Sequence, residues 1–163
     1  MINIILFEPE IPENTGNIAR TCVAFNAKLH LIKPYGFFLT SKKLKRSGVN
    51  YWEHLKMFEY DSFDDFLQQN QNPKIYMFTR YGKKSPNEFD FKHEQEIFLM
   101  FGKESSGIDK TILKNNLDYL VRIPMSSRIR SMNLSNVVAI AIYEVAKQLN
   151  FLDLFSSEPF KKL

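Results

Sequence analysis

Apolar residues along the chain come in two rhythms. Short runs rich in Ile, Leu, Phe, Tyr and Met recur at residues 2–7, 28–32, 55–59, 74–79, 96–101 and 119–123, and each has the length and composition of a buried strand. Between them the spacing changes to threes and fours. Ile18, Ala19, Cys22 and Val23 form one side of a helix that Asn14 is placed to cap. Phe63, Phe66 and Leu67 form a shorter one, opened by Ser62 and Asp65 and stopped by Pro73. The last helix carries a stripe of Leu134, Val138, Ala141, Val145 and Leu149, widened by Val137, Ile142 and Ala146. A face that broad covers a sheet or a partner subunit. Strands alternating with helices predict an α/β fold, a mostly parallel sheet with flanking helices. The loops are predicted at 34–41, 80–95 and 124–133. Ligands of open α/β sheets bind where strands give way to loops, so the candidate site lies after Thr79, Phe101 and Ile123.

Composition removes several function classes. At 163 residues the chain predicts one domain, and 44% apolar with 25% charged residues is the balance of a globular protein rather than a disordered one. No apolar run approaches the ~20 residues that span a bilayer, and the N-terminus lacks a basic leader, so the expectation is a cytoplasmic protein without a membrane partner. Cys22 is the only cysteine, which excludes an intrachain disulfide and a cysteine-built zinc or iron–sulfur centre. His30, His54 and His93 are scattered without the spacing of a metal pair, so no metal is expected. A net charge of +4 favours an anionic partner only slightly.

Motifs exclude more. Strand one runs into Glu8-Pro9-Glu10-Ile11-Pro12, where a dinucleotide fold would need glycines to approach a pyrophosphate. Gly102 and Gly107 have the spacing of a phosphate loop, but Ile108-Asp109 stands where lysine and a hydroxyl residue belong. No Gly-x-Ser-x-Gly elbow is present.

Three segments carry a positive signal. Pro12-Glu13-Asn14-Thr15-Gly16-Asn17-Ile18-Ala19-Arg20 joins a strand to a helix; it reads either as a capped helix with a solvated arginine or as Asn14, Asn17 and Arg20 facing one ligand. Phe101-Gly102-Lys103-Glu104-Ser105-Ser106-Gly107 reads as a βα turn with serine caps or as backbone turned sharply toward a ligand. Ile123-Pro124-Met125 through Arg130-Ser131-Met132-Asn133-Leu134-Ser135-Asn136 puts a polar loop at a helix start, with Ser131 or Asn133 as the cap.

In this order and at these positions, Pro-x-Asn-x-Gly-Asn-x-x-Arg, Phe-Gly-x-Glu-x-x-Gly and Ile-Pro-Met with Arg-Ser-Met-Asn-Leu-Ser-Asn resemble the three motifs of SpoU-type RNA 2′-O-ribose methyltransferases of the SPOUT superfamily. The resemblance runs from about residue 3 to about 150, leaving 151–163 as a tail. The opening Leu6-Phe7-Glu8-Pro9-Glu10-Ile11-Pro12 and the run Leu44-Lys45-Arg46-Ser47-Gly48 look most like the minimal YibK/TrmL branch, which methylates the wobble nucleotide of certain leucine tRNAs.

That resemblance implies a C-terminal deep trefoil knot, a homodimer whose site is completed across the interface, and S-adenosyl-L-methionine as methyl donor. The cofactor would be held at Thr79, Gly102, Ile123, Ser131 and Leu134, largely by backbone. Arg20, assisted by Asn14, would engage the reacting ribose. A guanidinium is a poor general base, so Arg20 would orient the hydroxyl and stabilise developing negative charge. Glu104 and Asn133 would shape the loops. The substrate implied is the 2′-hydroxyl of cytidine or uridine 34 in the anticodon stem-loop of leucine tRNAs; another tRNA position, ribosomal RNA, or a non-catalytic knotted RNA-binding module are the alternatives. Lys42-Lys43-Leu44-Lys45-Arg46, Arg80-Tyr81-Gly82-Lys83-Lys84 and Arg128-Ile129-Arg130 are candidate phosphate contacts. One departure is Ile108-Asp109, where relatives more often show leucine and proline, so the start of the following helix is in question.

Overall fold

In the computed structural model, which describes residues 1–37 and 51–159, the six expected strands form and lie parallel in one sheet. They are β1 (Ile2–Phe7), β2 (Lys28–Ile32), β3 (Lys56–Tyr60), β4 (Ile75–Phe78), β5 (Ile97–Phe101) and β6 (Leu120–Val121), in the spatial order β3-β2-β1-β5-β4-β6. The described helices are α1 (Pro12–Ala24), α2 (Phe63–Gln69), α3 (Lys110–Lys114) and α4 (Leu134–Gln148). The lysine-rich run at 42–46 and the match at 44–48 lie outside the described residues.

A parallel sheet is covered on both faces, and β1 illustrates how one buried strand serves two cores. All six of its residues are buried. Ile2, Ile4 and Leu6 join Ile18 and Cys22 of α1 and Val138, Ile142 and Val145 of α4, whereas Ile5 and Phe7 point the other way to Phe66 of α2 and Leu113 of α3. Burying each such side chain contributes ~1.5–3 kcal/mol. On α4 the buried stripe is Val138, Ala141, Ile142, Val145 and Ala146, while Ile140 and Tyr143 stay exposed. Among the described residues no helix is long and apolar enough to cross a membrane.

Two helix ends depart from expectation. α1 is entered through Ile11 in an extended conformation with Pro12 in the first turn, so proline and not Asn14 sets the start, and Asn14 lies inside the helix. α2 is capped by Ser62 as expected, its hydroxyl accepting from the Asp65 N–H at 3.1 Å. It ends at Gln69, ahead of Pro73, because Gln71 and Asn72 turn left-handed with φ of 58° and 51°.

On the second face the buried polar residues Asn3 and His30 bond to each other, and the protonation state of His30 follows from its neighbours. The Asn3 amide donates to the Met1 carbonyl, leaving Asn3 Oδ1 to accept from His30 Nε2 at 3.1 Å. His30 Nδ1 then accepts from the Tyr60 hydroxyl at 2.9 Å. Burial pushes the His30 imidazole down to about 4, with the Lys28 charge adding to it. The unfolded chain therefore binds the extra proton first as pH falls, and stability contributed by neutral His30 is lost between about pH 6.5 and 4. Followed by NMR, the His30 ring is expected not to titrate between pH 8 and 5; titration of that ring near pH 6.5 overturns this.

Candidate active site

The loops that follow β4, β5 and β6 leave the same edge of the sheet and meet the start of α1 around a cleft of about 850 Å³. Phe78, Ile108, Met125, Leu134 and Val137 give it apolar walls, and Arg80, Lys110, Arg122 and Arg130 stand around it as cations. Its size falls in the ~300–1,000 Å³ range of small-molecule sites.

Glycine chemistry shapes the loop after β5. An added Cβ at Gly102 would lie 2.1 Å from the Gly107 carbonyl carbon and 2.2 Å from the Ile108 nitrogen, both backbone atoms that cannot step aside. The loop closes on itself through the Gly107 N–H, which donates to the Lys103 carbonyl at 2.8 Å, and Gly107 itself needs a left-handed φ of 78°. Asp109 caps α3 by accepting from the Thr111 N–H, so the helix start that the departure at Ile108-Asp109 put in question is set by aspartate.

Residues 8–10 clasp this loop from the first strand. Glu8 pairs with Lys103, and the Glu10 carboxylate accepts from both the N–H and the hydroxyl of Ser105 at 2.8 Å. Those Ser105 hydrogen bonds hold the Glu10 carboxyl below its usual range. The Glu10 N–H in turn donates to Glu104 at 2.9 Å. The sequence places Glu8 and Glu10 in the family-like opening segment without giving either a role; the signal for one is an acidic pair placed directly after a buried strand.

Glu104, Asn14 and Asn133 form a directional chain. An ionised carboxylate only accepts, so Asn14 turns its amide nitrogen to Glu104 at 2.9 Å and leaves its oxygen for the Asn133 amide, also at 2.9 Å. The Asn133 oxygen then accepts from the Ser135 N–H and hydroxyl at 2.9 and 2.7 Å, capping α4. One chain of bonds thus ties all three motif segments together. Asn14→Asp sets two carboxylates against each other, and one of them must hold a proton that the unfolded chain would release near pH 4. The variant is therefore expected to melt well below the wild type at pH 8, with the gap closing as pH falls toward 4; a gap independent of pH in thermal melts would refute the charge account.

The structure brings together Asn14, Thr79, Gly102, Glu104, Ile123, Ser131, Asn133 and Leu134 around the cleft. Arg20 is not among them. It sits exposed on α1 together with Asn17, whereas Asn14 is buried. The expectation that the three share one side fails because each step of three residues turns the helix direction back by about 60°. By Arg20 the face has rotated about 120° away from Asn14.

Residues 1–143 match the model of the SpoU rRNA Methylase family. The chain belongs to that family. A Geobacillus stearothermophilus relative provisionally named tRNA (cytidine(34)-2′-O)-methyltransferase is 48% identical over 151 residues, 92% of this chain and 96% of its own. The crystal structure of a protein from Bacillus anthracis provisionally called an RNA methyltransferase is 43% identical, covers 94% of this chain and 98% of that one, and superposes with a TM-score of 0.89. A second solved structure, described as giving structural insights into the 2-OH methylation of C/U34 on tRNA, is 39% identical over 93% of this chain and 97% of that one, with a TM-score of 0.85. More distant SpoU-fold structures at 22% and 23% identity include AdoMet-bound ones, with TM-scores of 0.80 and 0.75. The sheet order and helical layers described above are those of the SpoU methyltransferase fold.

Proposed function

We propose that this SpoU family member methylates the ribose 2′-hydroxyl of nucleotide 34 in tRNA, with leucine tRNAs as the substrates and S-adenosyl-L-methionine as the donor. The observation that carries this reading is the convergence of the three motif loops on one cleft, locked by the Glu104–Asn14–Asn133 chain. The names of relatives that are 42 to 48% identical support the tRNA position.

The residues present fit the cofactor. Gly102, with no side chain, lets the loop after β5 fold back onto its own Gly107–Ile108 backbone beside the cleft, and Phe78, Ile108, Met125 and Leu134 suit an adenine ring. Thr79, Gly102, Ile123, Ser131 and Leu134 would hold it. When bound, S-adenosylmethionine supplies a methyl group that leaves sulfur as the ribose oxygen bonds to it, the hydroxyl proton passing to an RNA phosphate or to solvent. Arg20 orients that hydroxyl and stabilises the charge that develops on oxygen. Exposed on α1 and turned from its own cleft, Arg20 reaches the cleft of a second copy, and Ile140 and Tyr143 on α4 give that copy an apolar face to pack on. Glu104 and Asn133 act as positioning residues. The knotted path belongs to the same proposal: the chain after β6 returns to α1, where the Asn133 cap bonds Asn14.

The test is transfer of labelled methyl into tRNA lacking this modification, with the modified nucleotide mapped. Label at ribose 34 of leucine tRNAs supports the reading; label at another nucleotide, or only in ribosomal RNA, overturns the substrate and keeps the chemistry.

A further inference from the structure

Tyr81 has 48% of its surface open to solvent, yet it lines the cleft and sits on a firmly held loop. The Thr79 N–H donates to the Val121 carbonyl and the Arg122 N–H to the Lys84 carbonyl, both at 2.9 Å, so residues 79–84 are tied to β6 at both ends. Between these anchors the Arg122 guanidinium donates to the Arg80 carbonyl at 2.6 Å. Gly82 lies so near β6 that an added Cβ would come within 2.5 Å of the Val121 carbonyl carbon.

Arg80 completes the arrangement. Its guanidinium donates to the Tyr81 hydroxyl at 2.7 Å and its central carbon lies 4.9 Å from the ring centre, a cation–π distance. The Arg80 hydrogen bond, helped by the charges of Arg80 and Lys110, holds the phenol below its ordinary range. An aromatic ring left half in water beside a guanidinium, at a cation-lined cleft, matches what holds a splayed single-stranded nucleotide: bases stack on aromatic and guanidinium surfaces while cations meet the phosphates.

We propose that Tyr81, with Arg80 against it, is the stacking platform for the base of the nucleotide whose ribose is methylated. This rests on the RNA methyltransferase reading above and adds to it the residues that receive the base. Stacking accepts any base face, so the platform places the nucleotide without choosing between pyrimidines.

The experiment compares wild type, Tyr81→Ala and Tyr81→Phe, binding an anticodon stem-loop RNA with or without the base at the acceptor nucleotide. Cofactor affinity and methyl transfer are measured alongside. Wild type is expected to lose about tenfold in affinity when the base is removed, the scale of one base stacked on an aromatic ring. Tyr81→Ala should lose as much on the intact RNA and nothing more on the abasic one, Tyr81→Phe should keep wild-type behaviour, and cofactor affinity should not move. An equal loss on both RNAs, no loss at all, or a matching loss of cofactor affinity overturns the platform. Base-dependent binding by a wild type that transfers no methyl would sink the catalytic reading and leave the platform standing; transfer without base dependence would do the reverse.

Discussion

Arg20→Ala is expected to lower kcat for methyl transfer by ~10²–10³, the cost of removing one donor that stabilises developing oxyanion charge. The thermal midpoint and cofactor affinity should stay at wild-type values, because Arg20 is exposed and lies outside the cleft proposed for the cofactor. Arg20→Lys should recover little, since an ammonium cannot reproduce the planar fork of donors. The placement of Arg20 also makes a sharper demand. If it serves the cleft of a second copy, mixing Arg20→Ala with a Gly102→Val variant that cannot seat the cofactor should restore activity to two dead proteins. Each mixed dimer then holds one whole site, and random exchange leaves about a quarter of the wild-type number. A mixture that stays inactive after exchange would assign Arg20 to its own subunit instead.

The second large effect falls on the loop after β5. Gly102→Ala must push a methyl group into the Gly107 carbonyl carbon and the Ile108 nitrogen, at 2.1 and 2.2 Å. Overpacking against backbone costs about 1–3 kcal/mol or more, so the melting temperature should fall by roughly 2–12 °C or more in a domain of this size. Cofactor binding should be lost outright, because the displaced residues line the cleft. Gly107→Ala is the instructive contrast. Apart from its two chain neighbours, no described residue comes within 4 Å of its added Cβ, and the cost is confined to a φ of 78°, about 1–2 kcal/mol. Equal cofactor affinity in Gly102→Ala and wild type, by calorimetry, would refute this account of the loop.

The strands could be read because their burial is written locally: Ile2 to Phe7 is apolar at every position but Asn3, as a strand covered on both faces favours, and the observed bounds of all six strands lie within two residues of those expected. Caps were half readable. Ser62 and Asn133 announce themselves by residue type, while the entry to α1 was misplaced because asparagine outweighed the proline two residues earlier. The cleft-lining loops followed from the three motifs, but the bonds among them did not. Glu10 meets Ser105 across 95 positions and Asn133 meets Asn14 across 119, and no local pattern encodes a partner so remote. Arg20 shows the opposite limit: its spacing from Asn14 suggested proximity, and helical rotation removed it.

The strand order has a consequence in time. β1 lies between β2 and β5, yet β2 follows it closely in the chain and β5 begins only at Ile97. At ~5–20 residues per second, the roughly 65 residues between the end of β2 and the start of β5 leave a growing chain with β1 and β2 paired and one edge of the largely apolar β1 open for roughly 3–13 s. Self-association of the nascent chain, and the help of chaperones against it, should therefore concentrate in that interval, and nascent chains ending before Phe101 should be the ones most often found aggregated.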